Sequence, residues 1–205
     1  ESTSAEGRMS VRITTPVRDY GWVRLGLRGE HQIPNALVAV RLLEQLQRIV
    51  PVDAGAIRSG LRDVRWPGRL QMLEAPGGRR VLLDAAHNPA GARALAAYVR
   101  REFPESLPIV FGAMRDKDAA LMIETLLPVA SKMVMTEPAN PRARSAVELA
   151  AIAGGLSSTA SIEVELNPKK ALERAWAQRP LACAAGSIFL IGDLLGELGP
   201  SAREL

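Results

Sequence analysis

The sequence predicts an α/β fold, a mainly parallel sheet with helices on both faces, preceded by a hairpin and a helix. Three observations carry this expectation. After residue 80, short β-prone apolar runs recur, typified by Val81, Leu82 and Leu83. Segments with apolar residues at helical spacing alternate with them, as in Ala92, Leu95, Ala96, Val99 and Phe103. Before residue 28 the pattern changes to apolar–polar alternation, the mark of strands covered on one face only. Strand–helix alternation implies right-handed crossovers and a parallel sheet.

The elements follow in order. Residues 1–7 read as a flexible edge. Their lack of an initiating methionine suggests a cut fragment or a matured chain. Residues 9–15 and 20–27 alternate on either side of 16–19 and read as an antiparallel hairpin. Asn35 is expected to open a helix whose face holds Leu37, Val40, Leu43, Leu46 and Val50. Residues 51–62 read as a short helix between turns. The Gly-rich turn near 75–80 is the expected boundary, which divides the chain into 1–72 and 73–205. Strands are then expected at 80–84, 107–112, 132–136, 162–166 and 187–191. Helices are expected at 89–103, 118–129, 145–153 and 168–178, with a short one at 193–198. Neither internal repeats nor a low-complexity tract is visible.

Bulk properties narrow the class. The formal net charge is +4, yet the arginines are scattered and aromatics are only 4%. That argues for a solvated basic surface rather than a nucleic-acid partner. No apolar run approaches membrane-spanning length. Cys183 is the only cysteine, so a disulfide framework is excluded and a reducing, cytoplasmic setting is expected. Far from either histidine in sequence, Cys183 reads as an inert core thiol. Trp22 and Trp66 read as packing anchors.

The stretch "VLLDAAHNPAG" concentrates the candidate chemistry. Asn88 and Pro89 are explained as an N-cap and a first helical position. Asp84 and His87 are not explained in that way. They fall in a strand-to-helix loop beyond a strand's carboxyl end, where open α/β sheets bind ligands. Neither a GxGxxG fingerprint nor a GxxxxGK[ST] loop is present, and no His/Cys cluster has metal-ligand spacing.

Four motifs taken in order go further. "GEHQIPNALVA", "WPGRLQ", "LLDAAHNPAGARAL" and "FGAMRDKD" resemble the second half of the folylpolyglutamate synthases and bifunctional dihydrofolate/folylpolyglutamate synthases, within the Mur-type ATP-dependent ligases. "TEPANPRA" and "GSIFLIGDLL" are similar to later family segments. Ala85 stands where the family usually has glycine. The resemblance implies a C-terminal, Rossmann-like glutamate-ligase domain over 73–205, with 1–72 as the tail of an N-terminal ATPase domain. The phosphate loop and magnesium ligands would lie upstream, so no metal site is assigned here and this chain alone would be inactive.

The same resemblance implies the partners and the site. ATP with magnesium, L-glutamate and a folate or dihydropteroate would be bound, in a monomer without nucleic acid or membrane. Nucleotide roles fall on Asn35, Arg69 and Asp84, and His87 would act in catalysis by orienting substrate or nucleotide. Lys117, Arg142 and Ser187 are candidates for the glutamate side. Each makes chemical sense: an amide for adenine's edge, a guanidinium for phosphate, a carboxylate for ribose hydroxyls. Plainer readings stand beside them. Asn35 and Asp118 are good N-caps, Arg69 is a possible surface arginine, Asp116 and Lys117 fit solvated positions, and Ser187 fits a cap before a buried strand. The alternatives for function are a Mur-type cell-wall peptide ligase and a non-catalytic Rossmann-like binding module.

Overall fold

The computed structural model describes residues 2–5, 7–156, 160–199 and 202–205. The chain divides into two compact units, Glu1–Trp66 and Pro67–Leu205. The expected division at 72/73 would instead cut a strand.

In the first unit, β1 (Ser2–Ala5), β2 (Arg8–Thr14) and β3 (Asp19–Arg28) form an antiparallel sheet in that order. The expected hairpin is β2–β3. The edge expected to be flexible contributes β1, while residues 1 and 6 lie outside the described residues. Period-two alternation sends Met9, Val11 and Ile13 of β2 and Val23 and Leu25 of β3 into one small core, and a register shift between Ile13 and Thr14 brings Tyr20 to the same side. Trp22 therefore takes the outer face and is 47% exposed, and Trp66 is 62% exposed. Neither is the packing anchor expected.

Helix α1 spans Gln32–Gln45 and begins before Asn35. Winding starts earlier because Gln32 and Ile33 already donate to Gly29 and Glu30 carbonyls. Pro34 is tolerated in this first turn, where no intrahelical donor is needed. Asn35 is thus not a cap; its amide donates to Gln32 Oε1 at 3.1 Å. The buried face also differs from expectation. Ala36, Val40 and Glu44 are buried, whereas Leu37, Leu46 and Val50 are exposed. A polar anchor fixes this rotation. Glu44 accepts from Thr15 Oγ1 at 2.5 Å, from the Tyr20 hydroxyl at 3.0 Å and from Arg41. Burial alone would raise its pKa, but the donated bonds outweigh burial and hold it below the usual glutamate range. Helix α2 (Ala54–Asp63) starts at Asp53, whose side chain caps Ala56 at 2.8 Å.

The second unit is a seven-stranded sheet. β4 (Gln71–Ala75) and β5 (Arg79–Asp84) form an antiparallel hairpin where the boundary was expected. The Gly-rich turn joins two paired strands rather than two domains. β5, β9 (Leu181–Ala185), β6 (Leu107–Phe111), β7 (Ala130–Met135) and β8 (Ser161–Val164) are parallel in that spatial order. β10 (Arg203–Glu204) adds to β4 at the edge.

Alternate residues of each central strand face two separate cores. Leu82, Ile109, Phe111, Met133 and Cys183 meet α3 (Pro89–Glu102), α4 (Ala119–Leu126) and α5 (Ala146–Gly154). Val81, Leu83, Val110, Val134 and Ala184 meet α6 (Pro168–Gln178) and α7 (Ile188–Leu198). Each fully buried large aliphatic or aromatic side chain contributes about 1.5–3 kcal/mol. Cys183 is wholly buried, and burial pushes its thiol pKa up, as an inert core thiol requires.

One strand lies earlier in the chain than its sequence pattern suggests. Residues 187–191 were expected to be extended but open helix α7, and the strand is the preceding LACAA. The alanines of LACAA lack β propensity by themselves. Helix layers cover both faces of this central strand, so small side chains fit there and tertiary packing decides.

Candidate functional site at the carboxyl edge of the parallel sheet

The chain leaves β5 toward the α3 face and leaves β9 toward the α7 face. These neighbouring strands therefore part at their carboxyl ends, which makes the crevice where doubly wound sheets take ligands. Four loops meet this edge with β5's: those after β9, β6, β7 and β8. The backbones are close. A Cβ on Gly186, at φ 113°, would lie 2.5 Å from the Gly112 carbonyl oxygen and 2.8 Å from the Phe111 ring. Only glycine fits there.

Asp84 ends β5 and is 7% exposed. Its Oδ2 accepts the Leu70 N–H and its Oδ1 the Ala86 N–H, both at 2.9 Å. Burial dominates and pushes its pKa up to about 6, although the two amides and the Arg69 and His87 charges act in the opposite direction. The carboxylate is thus committed to backbone at two places rather than simply presented to solvent.

Arg69 lies on the Pro67–Leu70 loop, half-buried, beside this carboxylate. Leu70 has φ 45°, the left-handed region, at a cost of about 1–2 kcal/mol for a non-glycine residue. Its side chain, 1% exposed, is locked in the core. Gly68 carries φ 69°, and a Cβ there would meet Ile191 of α7 at 2.6 Å. Its N–H donates to Gln71 Oε1 at 2.9 Å, and its carbonyl accepts the Ala85 N–H at 2.7 Å.

His87 Nδ1 lies 2.9 Å from the Ala85 carbonyl oxygen. A carbonyl only accepts, so Nδ1 carries the proton and, in the neutral ring, Nε2 holds the lone pair. Asn88 caps α3 through Gly91 N–H at 2.8 Å, as expected. Asp118 likewise caps α4 through Leu121 N–H at 3.1 Å.

The residues assigned to the glutamate side separate in character. Ser187 is 1% exposed, and its Oγ caps Phe189 N–H at 3.1 Å at the start of α7. Lys117 pairs with Asp116 at 2.9 Å in the loop after β6. Arg142, after β7, sets its guanidinium 5.8 Å from the Phe189 ring. Sequence reasoning missed how these two loops are joined. Met114 and Ala143 form a β-bridge, Arg115 Nε donates to the Ala143 carbonyl at 3.1 Å, and Arg144 donates to the Arg115 carbonyl at 2.9 Å. Such long-range backbone pairing leaves no local sequence signal. Asn35 is exposed in the first unit, on α1. Arg69, Asp84 and His87 are brought together in the second, and Lys117, Arg142 and Ser187 line loops of the same sheet edge.

Among the described residues, no group of three or more His, Cys, Asp or Glu could hold a metal ion, and no helix is long and apolar enough to cross a membrane.

Fold and edge define a doubly wound α/β domain with a candidate ligand crevice at the β5/β9 divergence. Residues 68–192 match the family model described as Mur ligase, glutamate ligase domain. The chain belongs to that family. A dihydrofolate synthase/folylpolyglutamate synthase of Mycobacterium tuberculosis is 39% identical over 142 residues, covering 66% of this chain and 28% of that protein. One of Bacillus subtilis is 31% identical over 183 residues, covering 88% of this chain and 42% of that protein. The structure of M. tuberculosis folylpolyglutamate synthase complexed with ADP superimposes with a TM-score of 0.88 at 28% identity, covering 99% of this chain and 48% of that one. The chain thus spans less than half the length of each of these relatives.

Proposed function

We propose that this chain is the C-terminal part of an ATP-dependent carboxylate–amine ligase that adds glutamate to folate or dihydropteroate. The observation that supports it most is the whole-chain likeness to an ADP-complexed folylpolyglutamate synthase, beside a cationic loop at this sheet edge. On this reading the first unit is the tail of an ATPase domain, and the metal ligands belong to that domain.

The donor set fits a nucleotide. Arg69's guanidinium makes no ion pair among the described residues, so its donors suit phosphate oxygens. His87 orients the reacting groups from a loop fixed to Ala85. A carboxylate is a poor acyl donor because its leaving group would be oxide. Phosphoryl transfer from ATP gives an acyl phosphate; the glutamate amine attacks it, and phosphate leaves. This chain contributes positioning, charge neutralisation and exclusion of water. Lys117 and Arg142, on the joined loops, supply positive charge to the glutamate carboxylates.

The test is ADP release by the full-length protein with ATP, L-glutamate and dihydropteroate or a folate. Release that requires all three supports the reading. Release that requires a nucleotide-linked peptide instead identifies the cell-wall branch. Nucleotide binding without turnover on any carboxylate leaves a binding module.

A further inference from the structure

We infer that Asp193 of α7, with Phe189 one turn before it, positions Arg142 for a carboxylate of the incoming glutamate. The inference rests on the glutamate-ligase reading proposed above. The family resemblance gives neither of these two residues a role.

The loop after β7 is tied to α7, to itself and to the loop after β6. Asp193 Oδ2 accepts the Ala139 N–H at 2.8 Å. Asn140 Oδ1 accepts the Arg142 N–H at 2.9 Å, and the Asn140 carbonyl accepts the Ala143 N–H at 2.9 Å. The Arg142 carbonyl in turn accepts the Arg115 N–H at 2.9 Å. The backbone of Arg142 is therefore fixed on both sides, and Asp193 sets where the whole turn sits against α7. The Arg142 side chain is exposed, so a bound anion must remove its rotamer freedom. The Phe189 ring, 41% exposed and 5.8 Å from the guanidinium, removes part of that freedom beforehand. Residues 189 and 193 are four apart and share one face of α7. One turn of helix thus holds the loop's backbone by a carboxylate and the loop's cation by a ring. The direction matters because a second cation is nearby. The Lys117 hydrogen bond, and after it the charges of Lys117 and Arg142, hold Asp116 below the usual carboxylate range, with Lys117 at 2.9 Å. The two cations proposed for glutamate therefore converge on one place, and an Arg142 turned elsewhere would separate them.

Positioning and plain stability predict different kinetics. In the full-length protein, the KM for L-glutamate is measured at saturating ATP and folate substrate, and the KM for ATP at saturating glutamate. The variants are Arg142→Ala, Asp193→Ala, Asp193→Asn and Phe189→Leu, with Asp193→Ala and Phe189→Leu each also combined with Arg142→Ala. Arg142→Ala should raise the glutamate KM about 10–100-fold, the range for a lost hydrogen bond to a charged group. Asp193→Ala should raise it about 3–30-fold, the range for a residue that acts without touching the ligand. Phe189→Leu should raise it about 2–5-fold. The ATP KM should not move in the Asp193 and Phe189 variants. Asp193→Asn should recover most of the loss, because an amide oxygen still accepts the Ala139 N–H. Neither Asp193→Ala nor Phe189→Leu should add to the loss that Arg142→Ala already causes. An unchanged glutamate KM in Asp193→Ala overturns the inference. So does a loss that multiplies with that of Arg142→Ala, an equal rise in the ATP KM, or an Asp193→Asn variant no better than Asp193→Ala. Melting curves accompany each variant. Should Asp193→Ala fail to fold, Phe189→Leu carries the same cycle, and a loss that multiplies with that of Arg142→Ala overturns the positioning. If Arg142→Ala itself leaves the glutamate KM unchanged, the assignment of Arg142 to glutamate fails. A wild-type protein without glutamate-dependent ADP release fails the ligase reading instead, and either result takes the inference with it.

Discussion

The two units solve the burial problem differently. In the second, β5, β6, β7 and β9 are covered on both faces, and Leu82, Ile109, Val110, Phe111, Met133 and Val134 are fully buried. In the first, one small core lies between a three-stranded sheet and two helices. Helix α1 and the turn after it leave Leu37, Val38, Leu42, Leu46, Ile49 and Val50 exposed, Ile49 at 78%. Composition does not separate the two; packing partners do. The second unit surrounds its sheet with its own helices, and the first has fewer layers to spend on α1.

The largest effect expected from this difference is at Phe111. It is fully buried, and its ring abuts the position where Gly186 closes on β6. Phe111→Ala should cost about 3–5 kcal/mol by denaturant unfolding. Native-state hydrogen exchange of the wild-type chain should show the highest protection in β5, β6, β7 and β9, with lower protection in α1. Equal protection in both units would break the comparison.

Next is the pH dependence of Asp84, which sharpens the comparison by locating a cost inside the well-packed unit. Its folded pKa, about 6, lies above the ordinary 3.8. The group therefore adds stability that is complete below pH 3.8 and lost as pH rises through about 6. The difference amounts to about 3 kcal/mol as an order of magnitude. The charges facing it are Arg69 and His87, and the Cys183 thiol also feels its field. Subtracting the pH profile of Asp84→Asn from that of wild type should isolate this term. A flat difference between pH 4 and 7 would mean that the buried carboxylate is not strained by its site.

A smaller effect tests local against tertiary control. Asn88→Ala removes the α3 cap and should cost about 0.5–2 kcal/mol. Its effect on nucleotide affinity should stay well below that of Asp84→Ala. Comparable losses of affinity would show that the α3 cap also holds the site.

That ordering matches what the sequence made legible. Asn88 and Asp118 read correctly because a cap is a contact within three residues. β5 and α3 read correctly because their periodicity is strong and unmixed. β9 did not, since LACAA is a strand only by virtue of the helices on both faces. α1 was rotated in the sequence reading because its apolar residues outnumber the positions its unit can bury, and Glu44, through Tyr20 and Thr15, chooses the face instead. Asp84 was visible as a residue in need of explanation. The Leu70 amide it holds, 14 residues earlier, was not, because nothing local marks a left-handed leucine.

The smallest effect concerns the exposed apolar side of α1, where the expected result is almost none. Leu42 is 59% exposed. Leu42→Gln removes little buried area, and both residues are good helix formers. The change should alter the stability of this chain by no more than about 0.5 kcal/mol in either direction. A loss above about 1 kcal/mol would mean that the face is covered in solution. Its dependence on protein concentration would then separate cover by a second copy from cover within the chain. In the full-length protein the proposed function predicts more. If α1 belongs to the tail of an ATPase domain, the rest of that domain supplies the missing layer, and the same substitution should cost about 1.5–3 kcal/mol there, the value of a buried leucine. A change that is silent in the chain and costly in the full-length protein assigns the face to that domain. A change that is silent in both leaves α1 with an exposed apolar side, and the first unit would then not be the tail of a packed domain.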